Sequence, residues 1–194
     1  FVGDGYDYNG KWVDCTDKIA ALQQALPDIA RVIVVPYDGV NVNLSRSLPG
    51  ILLWPDVLAA FAPRALGYQR VPFNHPQFIL FSSGTTGLPK CIVHGAGGPL
   101  LQLVKEHRLH CDIKPGDRVF YFTTCGWMMW NWLVTALASG ASLMLYDGSP
   151  LHPDGGVLFD YADAENVTLF GTSAKFLDTL HKQGYRPVDT HRLT

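Results

Sequence analysis

The chain has 194 residues, of which 47 % are apolar, 12 % aromatic and 16 % charged, and a net charge of −2 at neutral pH. That composition belongs to a folded globular core and excludes a disordered segment. The Lys and Arg residues are scattered, never in a run, which excludes an electrostatic footprint for nucleic acid or an anionic membrane. No apolar run is long enough to span a bilayer; the most apolar stretch, Met128 to Ala138, is interrupted by Asn131.

In chain order, Asp17 to Leu26 predicts a short amphipathic helix, with Ile19, Leu22 and Leu26 on one face and Pro27 behind it. Arg31 to Val35 is a compact β-branched run and predicts a buried strand. Asp38 to Pro55, rich in Gly, Asn, Ser and Pro, reads as loop. Trp54 to Phe61 reads as a short helix with Pro55 in its first turn. Gly67 to Gln77, which holds Pro72 and Pro76, reads as a connector.

From Phe78 the rhythm changes. Phe78 to Phe81 predicts a strand, followed by a Gly/Ser/Thr loop and a second strand, Cys91 to His94. Leu100 to His110 is a helix opened by Gly98-Pro99, and Lys114 to Asp117 a tight turn. Arg118 to Phe122 is a strand, Trp127 to Ala138 a helix closed by Gly140, and Ser142 to Tyr146 a strand. Val157 to Glu165 is a helix, Thr168 to Phe170 a strand, and Ala174 to Lys182 a helix closed by Gly184. Strands alternating with helices predict a layered α/β fold with a mostly parallel sheet. Cys15, Cys91, Cys111 and Cys125 form no Cys-x-x-Cys pair, so reduced thiols in a cytoplasmic protein are expected. Phe1 in place of Met, and an end at Thr194 just past Gly184-Tyr185-Arg186-Pro187, read as a fragment with both ends cut.

The densest chemistry lies in Ser82-Ser83-Gly84-Thr85-Thr86-Gly87-Leu88-Pro89-Lys90, where four hydroxyls, two glycines and a Lys fall within nine residues. Glycines let backbone N–H groups approach a phosphate, and hydroxyls and an ammonium add donors and charge. The string is not a Walker loop, because Lys90 follows Pro89 and opens no helix. A polar hairpin turn is the plain alternative, since the same residues are ordinary in turns.

This string resembles the phosphate loop of the adenylate-forming superfamily, which includes acyl-CoA ligases, luciferases and peptide-synthetase adenylation domains. It meets every position of that signature, Ser/Thr-Ser-Gly-Ser/Thr-Thr-Gly-x-Pro-Lys. The next position is Cys91, where most of the superfamily carries Gly. Gly126-Trp127-Met128-Met129-Trp130-Asn131-Trp132 is similar to the Gly-Trp segment that lines the acyl pocket and thiol tunnel of short-chain acyl-CoA ligases. With Asp4 to Lys11 and Phe170 to Phe176, these strings look most like the acetoacetate–CoA ligase branch.

The resemblance implies an acid–thiol ligase of lipid metabolism that uses ATP, Mg2+ and coenzyme A to activate acetoacetate as an acyl-adenylate. Ser82, Ser83, Gly84, Thr85, Thr86, Gly87 and Lys90 would hold the ATP phosphates, Lys90 with a catalytic, charge-stabilising role. Trp127, Met128 and Met129 would line the acyl and CoA pocket. Residues 1–77 would form the first part of a large N-terminal domain, and 78–194 its α/β segment. The adenine, ribose and Mg2+ ligands, and the lid domain with its lysine, have no counterpart before Thr194. The fragment alone would therefore be inactive and would need the remainder of its own chain. Acetate or propionate in place of acetoacetate, and a non-catalytic nucleotide-binding fragment, stay open.

Three weaker patterns compete. The Trp and Met residues at 127–132 also fit plain helix core. His107, His110 and Cys111 share a helical spacing but lack a fourth ligand, so a solvated helix face is expected and no metal site is assigned. Gly171-Thr172-Ser173-Ala174-Lys175 lacks the last Gly of a hydrolase nucleophile elbow. His94 is expected to hydrogen-bond locally at a strand end.

Overall fold

The computed structural model describes residues 1–37, 48–82 and 87–192. They fall into two compact units, one of residues 1–67 with 151–153, the other of 68–150 with 154–194.

In the first unit, β1 (Val2–Gly3), β4 (Val32–Val35) and β5 (Ile51–Leu53) form a parallel three-stranded sheet with β4 central. Val34 in the central strand and Ile19 in helix α1 (Thr16–Ala25) are its buried apolar residues, 1 % and 3 % exposed. Helix α2 (Trp54–Ala59) starts with Pro at its first turn, as the sequence predicts. Two features differ from the sequence expectation. Ile51 to Leu53 is a strand rather than loop; residues 38–47 of that expected loop lie outside the described residues. A hairpin also precedes α1: β2 (Gly5–Tyr8) pairs antiparallel with β3 (Lys11–Asp14), and Tyr8 faces Lys11 across the two-residue turn Asn9-Gly10. Both turn residues have positive φ, 51° and 70°. That is the left-handed pair a tight hairpin requires and Asn-Gly supplies cheaply.

In the second unit, β8 (Arg118–Tyr121) is flanked by β10 (Leu169–Gly171) and β9 (Ser142–Met144), all parallel. Val119 and Phe120 are 0 % and 1 % exposed. Consecutive strand residues point to opposite faces, so both faces of β8 are covered. Phe120 packs with Leu158 and Phe159 of α5 (Val157–Ala164) and Phe176 and Leu180 of α6 (Ala174–Lys182). Val119 packs with Leu133 of α4 (Met128–Thr135) and Ala136. Each of these buried Val, Leu and Phe side chains contributes roughly 1.5–3 kcal/mol. The helix expected through Ala138 tightens into a 3-10 turn at Ala136–Ser139 and ends at Gly140, whose φ of 79° is the left-handed cap. The parallel sheets on which the α/β expectation rests are therefore present in both units.

Two further elements frame the site. β6 (Pro76–Ser82) and β7 (Lys90–Gly95) form an antiparallel hairpin. Helix α3 (Gly97–Lys105) follows and widens into a π-helical turn at Glu106–His110, where a regular α-helix was expected.

Candidate active site

The strand Phe78-Ile79-Leu80-Phe81-Ser82 alternates in exposure. Phe78, Leu80 and Ser82 are half-buried, while Ile79 and Phe81 are 61 % and 69 % exposed. Cross-strand pairing sets Phe78 against His94, Leu80 against Ile92 and Ser82 against Lys90. By strand alternation all six side chains share one face of the hairpin. The two ends of the Ser/Gly/Thr loop, Ser82 and Lys90, are therefore neighbours across the ladder. Ser83, Gly84, Thr85 and Thr86 lie outside the described residues. On the return arm Gly87 is exposed, and a Cβ placed there would meet nothing within 4 Å. Lys90 is exposed and makes no ion pair among the described residues. The hairpin tip thus presents an ammonium beside a hydroxyl, an arrangement suited to an anion.

Further down the same face, Phe78, Leu80 and His94 enter a cavity of about 600 Å³ between the hairpin, α3 and α4. Its walls are mostly apolar, with Leu103, Met128, Met129 and Trp132 among them, and four polar side chains, His94, Gln102, Glu106 and Asn131, converge on it. An apolar pocket with a few convergent polar groups is the usual form of a small-molecule site. Gln102 Nε2 donates to Glu106 Oε1 at 3.0 Å, and Lys105 Nζ sits 2.8 Å from the same oxygen. The Lys105 ammonium holds Glu106 below the usual carboxylate range, so it stays ionised at neutral pH.

The Trp and Met stripe of α4 divides between two cavities. Met128, Met129, Asn131 and Trp132 face the first. Trp130 and Leu133 face a second, of about 490 Å³, beyond the carboxyl ends of β8 and β9 beside Thr123, Thr124 and Tyr146. Trp127, at the head of α4, is 66 % exposed and lines neither. Of the three residues that the sequence assigns to a pocket, Met128 and Met129 thus come together with the β6–β7 hairpin and Trp127 stands outside. Leu80 and Glu106 carry no such assignment from the sequence, and Asn131 enters it only within the 126–132 string. Alternation along β6 pointed to Leu80, but nothing local pointed to Glu106.

His107 departs from expectation. In place of a solvated helix face it is fully buried, with neither ring nitrogen in a hydrogen bond, and its ring meets that of Trp132 at 4.5 Å and 78°. The π-helical turn rotates it inward, while His110 stays exposed. Burial pushes its pKa down, so the ring is neutral. Among the described residues no group of three or more His, Cys, Asp or Glu could hold a metal ion. Ser173 is the N-cap of α6, its hydroxyl accepting the Phe176 N–H at 3.2 Å, which accounts for that serine structurally. No helix among the described residues is long and apolar enough to cross a membrane.

Residues 13–193 match the family described as AMP-binding enzyme. Among curated proteins, the chain is 55 % identical over 193 residues to an acetoacetyl-coenzyme A synthetase of Rhizobium meliloti (strain 1021), covering 100 % of this chain and 29 % of that protein. It is 48 % identical over 192 residues to an acetoacetyl-CoA synthetase of Mus musculus, covering 96 % of this chain and 28 % of the relative. Among solved structures, acetoacetyl-CoA synthetase from Streptomyces lividans superposes with a TM-score of 0.88 at 42 % identity, covering 98 % of this chain and 29 % of that one. The chain therefore spans less than a third of the length of the relatives it matches.

Proposed function

Because this chain belongs to the AMP-binding enzyme family, we propose that it is part of a longer ATP-dependent acetoacetate–CoA ligase. The observation that carries the reading is the register of the β6–β7 hairpin. Pairing Ser82 with Lys90 aims both ends of the phosphate loop along the face that lines the apolar cavity. The names of its relatives support acetoacetate as the acid.

Two displacements follow. The acetoacetate carboxylate attacks the α-phosphorus of ATP, forming an O–P bond as pyrophosphate leaves with the P–O bond electrons. The CoA thiolate then attacks the carbonyl carbon of the mixed anhydride, and AMP leaves. Ser82, Ser83, Gly84, Thr85, Thr86, Gly87 and Lys90 cradle the phosphates and stabilise the negative charge that builds on them. Met128 and Met129 cover the acyl chain and keep water from the anhydride. Trp127, exposed at the head of α4, is assigned to the CoA arm. Magnesium would arrive on the ATP phosphates themselves. The described residues do not fit a magnesium cage. The adenine and ribose contacts and the lid belong to the rest of the protein, which we place in the cytoplasm.

The test is acid-dependent ATP–pyrophosphate exchange by the full reading frame with acetoacetate, acetate and propionate. Exchange is expected to be strongest with acetoacetate, and Lys90→Ala should lower it by about 100-fold or more. Strongest exchange with another acid would replace the substrate, which the two flexible methionines would tolerate. No exchange in a folded protein that binds ATP would leave a non-catalytic nucleotide-binding protein.

A further inference from the structure

We propose that Asn131 is the specificity-determining residue that recognises the 3-oxo group of acetoacetate, and the proposal rests on the ligase reading above. Acetoacetate and butyrate have the same chain length and differ at one carbon, a carbonyl against a methylene. Apolar walls such as Leu80, Met128 and Met129 discriminate poorly between groups so close in volume. A hydrogen-bond donor placed at that carbon discriminates well. The oxo acid pairs with it, whereas the alkyl acid buries it without a partner.

The cavity offers four polar side chains, and their commitments differ. Glu106 is an ionised carboxylate beside Lys105, an acceptor only, and its charge opposes a carbonyl oxygen. Gln102 already donates to that carboxylate. His94 and Asn131 remain, neither with a side-chain hydrogen bond among the described residues. His94 sits on the hairpin directly across from Phe78, and which of its ring nitrogens donates depends on the tautomer. Asn131 offers two amide N–H donors at every working pH.

Its position also suits the task. Asn131 lies one helical turn beyond Met128 on α4, within the segment assigned to the acyl group. Its backbone carbonyl is held by the Thr135 hydroxyl at 2.7 Å. The neighbouring wall residue, Trp132, is packed against buried His107. The donor therefore stands on a rigid element, as specific recognition requires.

The experiment measures kcat/KM for ATP–pyrophosphate exchange with acetoacetate and with butyrate, in the full-length protein and its Asn131→Leu, Asn131→Ala and His94→Ala variants. Wild type is expected to prefer acetoacetate. In both Asn131 variants the acetoacetate-to-butyrate ratio should fall on the order of 30-fold, and in the His94 variant it should persist. Equal loss with both acids in the Asn131 variants would make the residue a mere wall and overturn the proposal. So would a collapse of the ratio in Leu but not in Ala, which assigns the effect to bulk. A collapse in His94→Ala alone would move the donor to the hairpin. If wild type shows no exchange with acetoacetate but does with another acid, the ligase's substrate reading fails first and takes this proposal with it.

Discussion

At His107 the physical consequence of one buried ring is a pH dependence. Desolvation holds its pKa below the ordinary value. The Trp132 backbone carbonyl, near the ring but outside hydrogen-bond geometry, and the Glu106 charge both oppose that shift without reversing it. In the unfolded chain the ring takes up its proton at about pH 6.5. Between that point and the depressed folded pKa the unfolded state binds more protons, so stability contributed by the neutral ring is lost as pH falls below about 6.5. His107→Phe keeps a ring against Trp132 and removes the proton site. Its melting temperature should fall less between pH 7 and 5 than that of the parent; parallel falls would refute the assignment. The same ring shows a limit of local reading. Spacing placed His107 with His110 on a solvated face, and only the widened helical turn shows that the two point apart.

The elements follow local rules where they are long or doubly buried. Helix α6 keeps Phe176 and Leu180 four residues apart on its buried face and carries its own serine cap, all of it visible in the sequence. Strand β5, three residues in a loop-like composition, has no such signal and exists because β4 offers it an edge. The β2–β3 hairpin is a different case, since Tyr8-Asn9-Gly10-Lys11 carries the two-residue turn signature in plain view. At Gly10 the φ of 70° disfavours any side chain, and a Cβ would stand 2.8 Å from His152 Nε2. Gly10→Val should therefore destabilise the hairpin by about 1–3 kcal/mol. Hydrogen exchange in the full-length protein should show faster exchange at Tyr8 and Lys11, with β8 unchanged. Unaltered protection at the turn would contradict the strain.

For the molecule as a whole, the telling surface is the far face of the β6–β7 hairpin. Ile79, Phe81 and Val93 are 61 %, 69 % and 57 % exposed there, side by side on a chain that spans 29 % of its Rhizobium meliloti relative. Contiguous apolar surface of this kind is unusual on a finished monomer. The 194-residue chain expressed alone is expected to bind a hydrophobic dye strongly and to catalyse no acid-dependent exchange. Ile79→Lys with Phe81→Lys should lower the dye signal. Exchange by the isolated chain, or dye binding untouched by the two lysines, would contradict this.

What the sequence determined by itself was chemistry that depends on neighbours along the chain. The Ser82 to Lys90 loop, the helices with their caps and the alternation that makes a parallel α/β fold all rest on spacings of a few residues. Tertiary structure decided which distant residues share a space. Glu106, Asn131 and Leu80 meet around one cavity because α3, α4 and the hairpin pack together, although they are far apart in sequence. Trp127 and Met128 are adjacent in the chain yet only Met128 reaches that cavity, because Trp127 is the extended residue before the helix and Met128 the first residue within it. Local propensity sets which element forms; packing sets which side of it becomes the site.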